Sequence, residues 1–209
     1  MTNTIKKIQE KAQTTLESFL LHNPDSETGP KNIDEAITYM QKMSDEYIPK
    51  RYIGISCEEM DMVYEHAIQE KGIMFFGECG TGKTRKVYAL HKLFVVNKIK
   101  SCVLNITDFL DEIRDTFSSG VYKEKGVLEN LDEYQVVIID DLGVEKSTDW
   151  TSEMIYKLIN KMYLEMKKVY ITTNLDMKGI SEKYGDRVAS RIAEMCTITK
   201  LQGEDKRIK

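Results

Sequence analysis

From residue 72 onward, short apolar runs alternate with segments of helical period. The runs 72–77, 101–105, 135–140, 168–174 and 196–200 are largely continuous in apolar and β-branched character, as in Val136-Val137-Ile138-Ile139, and predict five strands. The stretches between them predict helices near 83–97, 107–118, 149–166 and 185–195. Strands that are apolar on both faces and separated by helices indicate an α/β fold with a parallel sheet covered on both sides. The first quarter of the chain reads differently. Ile5, Ile8, Ala12, Leu16, Phe19 and Leu20 put one apolar stripe on a helix over 3–22. Turn residues in 22–31 end it, and Asn32 with Glu35 three positions later forms the start signal of a second helix. That helix carries Ile33, Ala36, Ile37, Met40 and Met43. Pro24, Pro30 and Pro49 are the three prolines of the chain. They set a helical N-terminal arm, 1–46, apart from the remainder, 47–209. The arm's stripes pack either on the main domain or on a partner.

Composition narrows the function classes. The 209 residues are 41% hydrophobic, enough to bury a core and to exclude disorder throughout. No apolar run approaches the ~20 residues that span a bilayer. The polar start MTNTIKKIQEKAQ is not a signal sequence, so a cytoplasmic protein is expected. Thirty Lys+Arg against 34 Asp+Glu give a net charge of −4, which is not the overall signature of a nucleic-acid binder. A local basic patch stays open. Cys57, Cys79, Cys102 and Cys196 lie far apart without C-x-x-C spacing and read as reduced thiols rather than a zinc site.

The chemistry concentrates at the strand ends. Gly77-Glu78-Cys79-Gly80-Thr81-Gly82-Lys83-Thr84 fits G-x-x-x-x-G-K-[ST] and joins a predicted strand to a predicted helix. Glycines let the backbone wrap phosphate oxygens and turn successive N–H groups inward, and the helix start adds its positive dipole end. Lys83 is then the partner of the β- and γ-phosphates of ATP, and the Thr84 hydroxyl a ligand of Mg²⁺. The strand 136–139 ends in Asp140 and Asp141. Asp140 is expected in the Mg²⁺ shell, and Asp141 as the general base for an attacking water. The competing reading of this pair is an acidic turn after a core strand. A third apolar strand ends in Thr172-Thr173-Asn174, which places an amide at the same sheet edge. Arg187 and Arg191 share a helix face, either as a solvated pair or as a source of an arginine finger for a neighbouring subunit.

Taken in order, GECGTGKT, VVIIDDLGVE, ITTNL, YGDRVASRIAEMC and LQGEDKR resemble the DnaC/IstB-like branch of the AAA+ ATPases, the helicase loaders and transposition helpers of bacteria and phages. Ile48-Pro49-Lys50-Arg51-Tyr52 is similar to the segment that leads into that core. The resemblance covers about residues 47–207. It implies a P-loop NTPase core with a five-stranded parallel sheet. It also implies that Asn174 takes the sensor 1 role, Arg191 that of the trans-acting finger, and Arg187 a structural or interface role. Expected partners are a replicative helicase or a transposase, single-stranded DNA, and further copies of the chain in an ATP-dependent homo-oligomer. The sequence stops at Lys209, so a helical lid is not expected, and Arg207 is the one candidate for a lid-type sensor 2. In this family the helix after the second strand belongs to the DNA-facing region. Here 107–119 is acidic, and Lys98, Lys100, Lys123 and Lys125 are the flanking candidates for phosphate contacts. The leading expectation is an ATPase that loads a helicase. The alternatives are a transposition helper, a small-molecule kinase sharing the phosphate loop, and a scaffold gated by ATP with little turnover.

Overall fold

The computed structural model describes residues 48–55, 57–118, 124–203 and 205. The arm 1–46, Lys123 and Arg207 lie outside the described residues, as do the helices expected over 3–22 and after Asn32. A 3₁₀ turn at Lys50–Tyr52 opens the described chain. Then come α1 (Cys57–Ala67), β1 (Gly72–Phe76), α2 (Lys83–Val96), β2 (Ser101–Asn105), α3 (Ile106–Ser118), α4 (Glu124–Glu129) and β3 (Val136–Leu142). The order continues with α5 (Asp149–Leu164), β4 (Lys168–Thr173), α6 (Met177–Tyr184), α7 (Asp186–Met195) and β5 (Cys196–Lys200).

All five strands pair in parallel, in the order β2-β3-β4-β1-β5. The period of two along each strand sorts its residues between two cores. Met74, Val137, Ile139, Val169 and Ile171 face one side, under α3, α5 and α7. Ile73, Phe75, Val136, Ile138 and Tyr170 face the other, under α1, α2 and Ile48 and Ile55. Both faces are dry, which is why the strands read as continuous apolar runs. Tyr170 and Lys168 reach across to α1. The Tyr170 hydroxyl donates to the His66 carbonyl at 3.0 Å and Lys168 Nζ to the Ala67 carbonyl at 2.7 Å, satisfying carbonyls that a helix end leaves without partners. The buried ammonium of Lys92 donates to the Ile55 carbonyl at 3.2 Å and ties the entry segment to α2.

The five strands fall within two residues of their sequence-based bounds. The helical segments differ in three places. Neither α1 nor α4 was expected. The helix expected over 185–195 is α7, preceded by a separate α6, and Gly185 at φ 89° is the single residue between them. A side chain is strained at that φ, so glycine permits the abrupt change of direction.

Candidate functional site

The loop after β1 meets α2 at the C-terminal edge of the sheet, where an open parallel sheet presents its ligand crevice. Gly77, Gly80 and Gly82 all take positive φ, and Gly82 in the left-handed region is the residue from which α2 starts. Lys83 is 6% exposed and folded back over this loop. Its Nζ donates to the carbonyls of Gly77 and Glu78 and to Asn174 Oδ1, each at 2.8 Å. The phosphate-loop lysine and the amide at the end of β4 are therefore in direct contact. Asn174 Nδ2 also donates to Cys79 Sγ at 3.6 Å.

The acidic pair arises from a break in register. Between Ile139 and Leu142 the β3–β4 ladder shifts, and Asp141 sits at φ 60°. Aspartate tolerates the left-handed region better than most side chains, and a bulge of this kind re-aims side chains beside a functional site. Asp140 turns inward and is 4% exposed; Asp141 is half-buried. Thr172, fully buried on β4, serves both. Its hydroxyl donates to Asp140 Oδ1 at 2.6 Å and accepts the Asp141 N–H at 2.8 Å. Burial pushes the Asp140 carboxyl above the usual carboxylate range, with the charge of Asp141 adding to the rise. Hydrogen bonds from Thr172 and Thr84 oppose it.

Two cavities flank the lysine. The smaller, about 370 Å³, lies among Arg51, Tyr52, Gly80, Lys83, Thr84 and Asp141. The larger, about 760 Å³, opens between β1, β4 and β5, with Gly77, Thr81, Leu175 and Leu201 in its wall. Cys79 and Asn174 line both. Tyr52 stacks on Tyr88 of α2, ring centroids 4.5 Å apart, and burial beside Asp140 pushes the Tyr88 phenol up to about 12. At Gly80 a carboxylate comes in from the segment after β5. A Cβ there would stand 1.9 Å from Asp205 Oδ1 and displace that carboxylate, and the φ of 78° favours glycine on its own.

The donor set suits a magnesium nucleotide. The positive-φ loop, the helix start and Lys83 form an anion cradle. Thr84 and Asp140, joined by a hydrogen bond, offer the hard oxygens Mg²⁺ prefers.

The turn after Asp141 is tied to α6. Glu145, 8% exposed, accepts the Gly143 N–H at 3.0 Å and the Tyr184 hydroxyl, and pairs with Lys183 Nζ at 3.0 Å. Lys183 also donates to the Gly143 and Glu145 carbonyls at 2.6 and 2.8 Å.

Of the sequence-derived set, Gly77 to Thr84, Asp140, Asp141 and Asn174 converge on this edge. Arg191 lines neither cavity. It lies on α7 against α5, its Cζ 5.0 Å from the Tyr156 ring centroid and 5.5 Å from that of Tyr163. Arg187, one turn earlier, is exposed and neighbours the Tyr156 hydroxyl. Lys98 and Lys100 precede β2, at the opposite edge of the sheet from the phosphate loop, and Lys100 pairs with Glu133 at 3.5 Å. On α3, Arg114 pairs with Asp111 and lies over Trp150. Sequence reasoning missed Thr172, Glu145, Asp205 and the two tyrosines. Only the Thr-Thr-Asn strand end hinted at the first.

A family model described as IstB-like ATP binding protein matches residues 62–209. The replicative helicase loader DnaC of Buchnera aphidicola subsp. Baizongia pistaciae is 23% identical over 120 residues, 57% of this chain and 49% of that protein. The chain thus spans about half the length of the curated relatives it matches. A crystal structure of the DnaC helicase loader superposes with a TM-score of 0.59 at 24% identity, covering 76% of this chain and 96% of that one. The replication initiator DnaA bound to AMPPCP and single-stranded DNA gives 0.58 at 16% identity, covering 77% and 50%. These superpositions establish a shared fold. No helix among the described residues is long and apolar enough to cross a membrane.

Proposed function

The chain belongs to the IstB-like ATP binding protein family, and from that premise we propose that it is a DNA replication ATPase of the helicase-loader type. In this reading it binds ATP with Mg²⁺ and assembles with its own copies on single-stranded DNA. It delivers a replicative helicase through the arm 1–46 and hydrolyses ATP slowly. The observation that carries the reading is the meeting of Lys83, Thr84, Asp140, Asp141 and Asn174 at one sheet edge while Arg191 lines neither cavity there. Arg51 and Arg85 line the smaller cavity, while Arg191, the finger of this reading, stands away from both cavities and so would act on a second copy.

The roles follow from the contacts. Backbone N–H groups of 77–84 and the Lys83 ammonium would hold the β- and γ-phosphates. Lys83 already leans on three oxygens, so it exchanges Asn174 and the loop carbonyls for phosphate oxygens at little cost in desolvation. Thr84 and Asp140 would hold Mg²⁺, which when bound neutralises phosphate charge. Thr172 keeps Asp140 aimed and fixes the backbone of Asp141. Asp141 accepts the proton of the attacking water, and Asn174, released from Lys83, orients that water. Asp141 in place of a longer glutamate suits slow turnover, as in a timer that holds an assembly state.

The family description favours one second reading, a transposition helper that delivers a transposase to its target. Membership also favours an assembly ATPase over the small-molecule kinase. Affinity capture from native cells, with wild type and Lys83→Ala compared, separates the two partners. Recovery of a replicative helicase with wild type is expected. Recovery of a transposase instead overturns the loader reading.

A further inference from the structure

Tyr156 and Tyr163 are seven residues apart on α5, so they project from one helix face two turns, about 10 Å, apart. Arg191 arrives from α7 with its guanidinium carbon 5.0 and 5.5 Å from the two ring centroids, midway between them. Arg191 Nη1 is buried and has no hydrogen-bond partner among the described residues. A buried charged donor normally finds an acceptor; here the electron-rich ring faces take that place. Tyr163 is itself fixed, its hydroxyl donating to Glu194 Oε2 at 3.0 Å one turn along α7. Tyr156 is drawn to the same cation. The hydrogen bond and charge of Arg191, with Arg187 adding, lower its phenol below the usual range. Two rings therefore converge on one guanidinium where α5 and α7 meet, with Glu194 holding the Tyr163 hydroxyl and Arg187 close to the Tyr156 hydroxyl.

We propose that Tyr156 and Tyr163 are positioning residues for Arg191, holding its guanidinium in a preset orientation from which it engages the terminal phosphate bound by a neighbouring copy of the chain. The inference rests on the trans-acting role given to Arg191 above. Stacking occupies the flat faces of a guanidinium and leaves its in-plane N–H groups for phosphate oxygens, a division of labour an ammonium cannot make. A long flexible side chain that is already oriented loses less freedom when it engages phosphate. The tyrosines therefore act on hydrolysis in the next subunit and not on nucleotide binding in their own.

The test uses full-length chains and mixed subunits. Lys83→Ala serves as the finger donor, and Arg191→Ala supplies the intact pocket. Their mixture is expected to regain ATPase activity. A donor that also carries Tyr156→Leu and Tyr163→Leu is expected to restore about tenfold less, the factor that two exposed cation–π contacts amount to. The change falls in kcat while KM for ATP stays fixed. A donor with Phe at both positions keeps the rings but loses the two hydroxyl contacts, and is expected to restore several-fold more activity than the Leu donor. Apart from turnover, the ring-current shift of the Arg191 Nε–H resonance in the free protein is expected in wild type and the Phe variant and absent in the Leu variant. If the double Leu donor does not fold, Tyr156→Leu and Tyr163→Leu singly carry the test, each expected to cost about threefold. Equal recovery with Leu and Tyr donors overturns this inference while leaving the trans reading intact. No recovery with the unmodified donor, in mixtures shown to co-assemble, sinks the trans reading and the inference with it.

Discussion

Replacing Thr172 by Val tests how the acidic pair is held. The two side chains have nearly the same shape, so the perturbation removes a hydroxyl and little else. Two hydrogen bonds go with it, the 2.6 Å bond to Asp140 and the 2.8 Å bond from the Asp141 amide, both in the core. A bond to a charged group contributes about 1.5–3 kcal/mol and one between neutral groups about 0.5–1.5, so a loss of about 3 kcal/mol is expected at neutral pH. In urea, at a slope of about 2 kcal/mol per molar, the unfolding midpoint drops by about 1.5 M. The sign of the pH dependence follows from Asp140. Burial raises its folded pKa, so the native state binds the proton more readily than the unfolded chain and loses stability as pH rises through that titration. The Thr172 hydroxyl opposes this by stabilising the ionised form. Its removal therefore costs most where the carboxylate is charged, and the penalty shrinks as pH falls through the folded pKa. Urea titrations of both proteins at about pH 7.5 and about pH 4.5 measure the difference. A midpoint shift below about 0.5 M, or a penalty that grows as pH falls, refutes the reasoning. Mg²⁺-dependent hydrolysis is expected to fall at least tenfold, as when the outer partner of a metal ligand is removed.

Three further outcomes are expected. Lys83→Ala abolishes ATP binding measured by calorimetry, and unchanged affinity would remove the basis of the site. Asp141→Asn keeps ATP bound but slows hydrolysis by about 10²-fold or more in single-turnover assays, because an amide is a poor base of similar shape; a normal rate places the base elsewhere. Asp205→Ala tightens nucleotide binding roughly fivefold at low salt. The carboxylate against Gly80 sits beside the cradle for phosphate charge, and one like-charge contact near a protein surface amounts to about 1 kcal/mol or more. Equal or weaker binding shows that it does not oppose the phosphates.

The sequence made the sheet legible because both its faces are buried. Every residue of a strand such as Val136–Ile139 is apolar, and nothing in the local signal competes. The phosphate loop was legible for a different reason, since its chemistry is contiguous and needs glycine at fixed offsets. Thr172 was not. Its part depends on β4 lying beside β3 with a shifted register at Asp140, a fact of pairing that no local pattern carries. Asp205 depends on the chain returning after β5 to the loop after β1. Tyr156 and Tyr163 read as ordinary amphipathic positions, and only the packing of α7 on α5 shows that they enclose an arginine. α6 was not read at all, although Asp176, which caps it by accepting the Gly179 N–H, was a readable start signal.

The knot around Glu145 makes a lever of these parts. On one side it grips the turn that leaves Asp141, and on the other the last turn of α6. One glycine then separates α6 from the helix that carries Arg191. Displacing the turn without moving the end of α6 would strand Glu145 or Lys183, whose side chains are 4% and 15% exposed, so the turn and the end of α6 are tied together. On the reading proposed above, in which Arg191 serves a neighbouring copy, that tie would link the state of a subunit's own pocket to the pocket next door. Loosening the joint with Tyr184→Phe should leave ATP affinity alone and lower the Hill coefficient of hydrolysis; an unchanged coefficient would show the lever transmits nothing. If Arg191 serves the neighbouring copy, as proposed above, this corner would act as an escapement, in which a neighbour is released only after the subunit before it has turned.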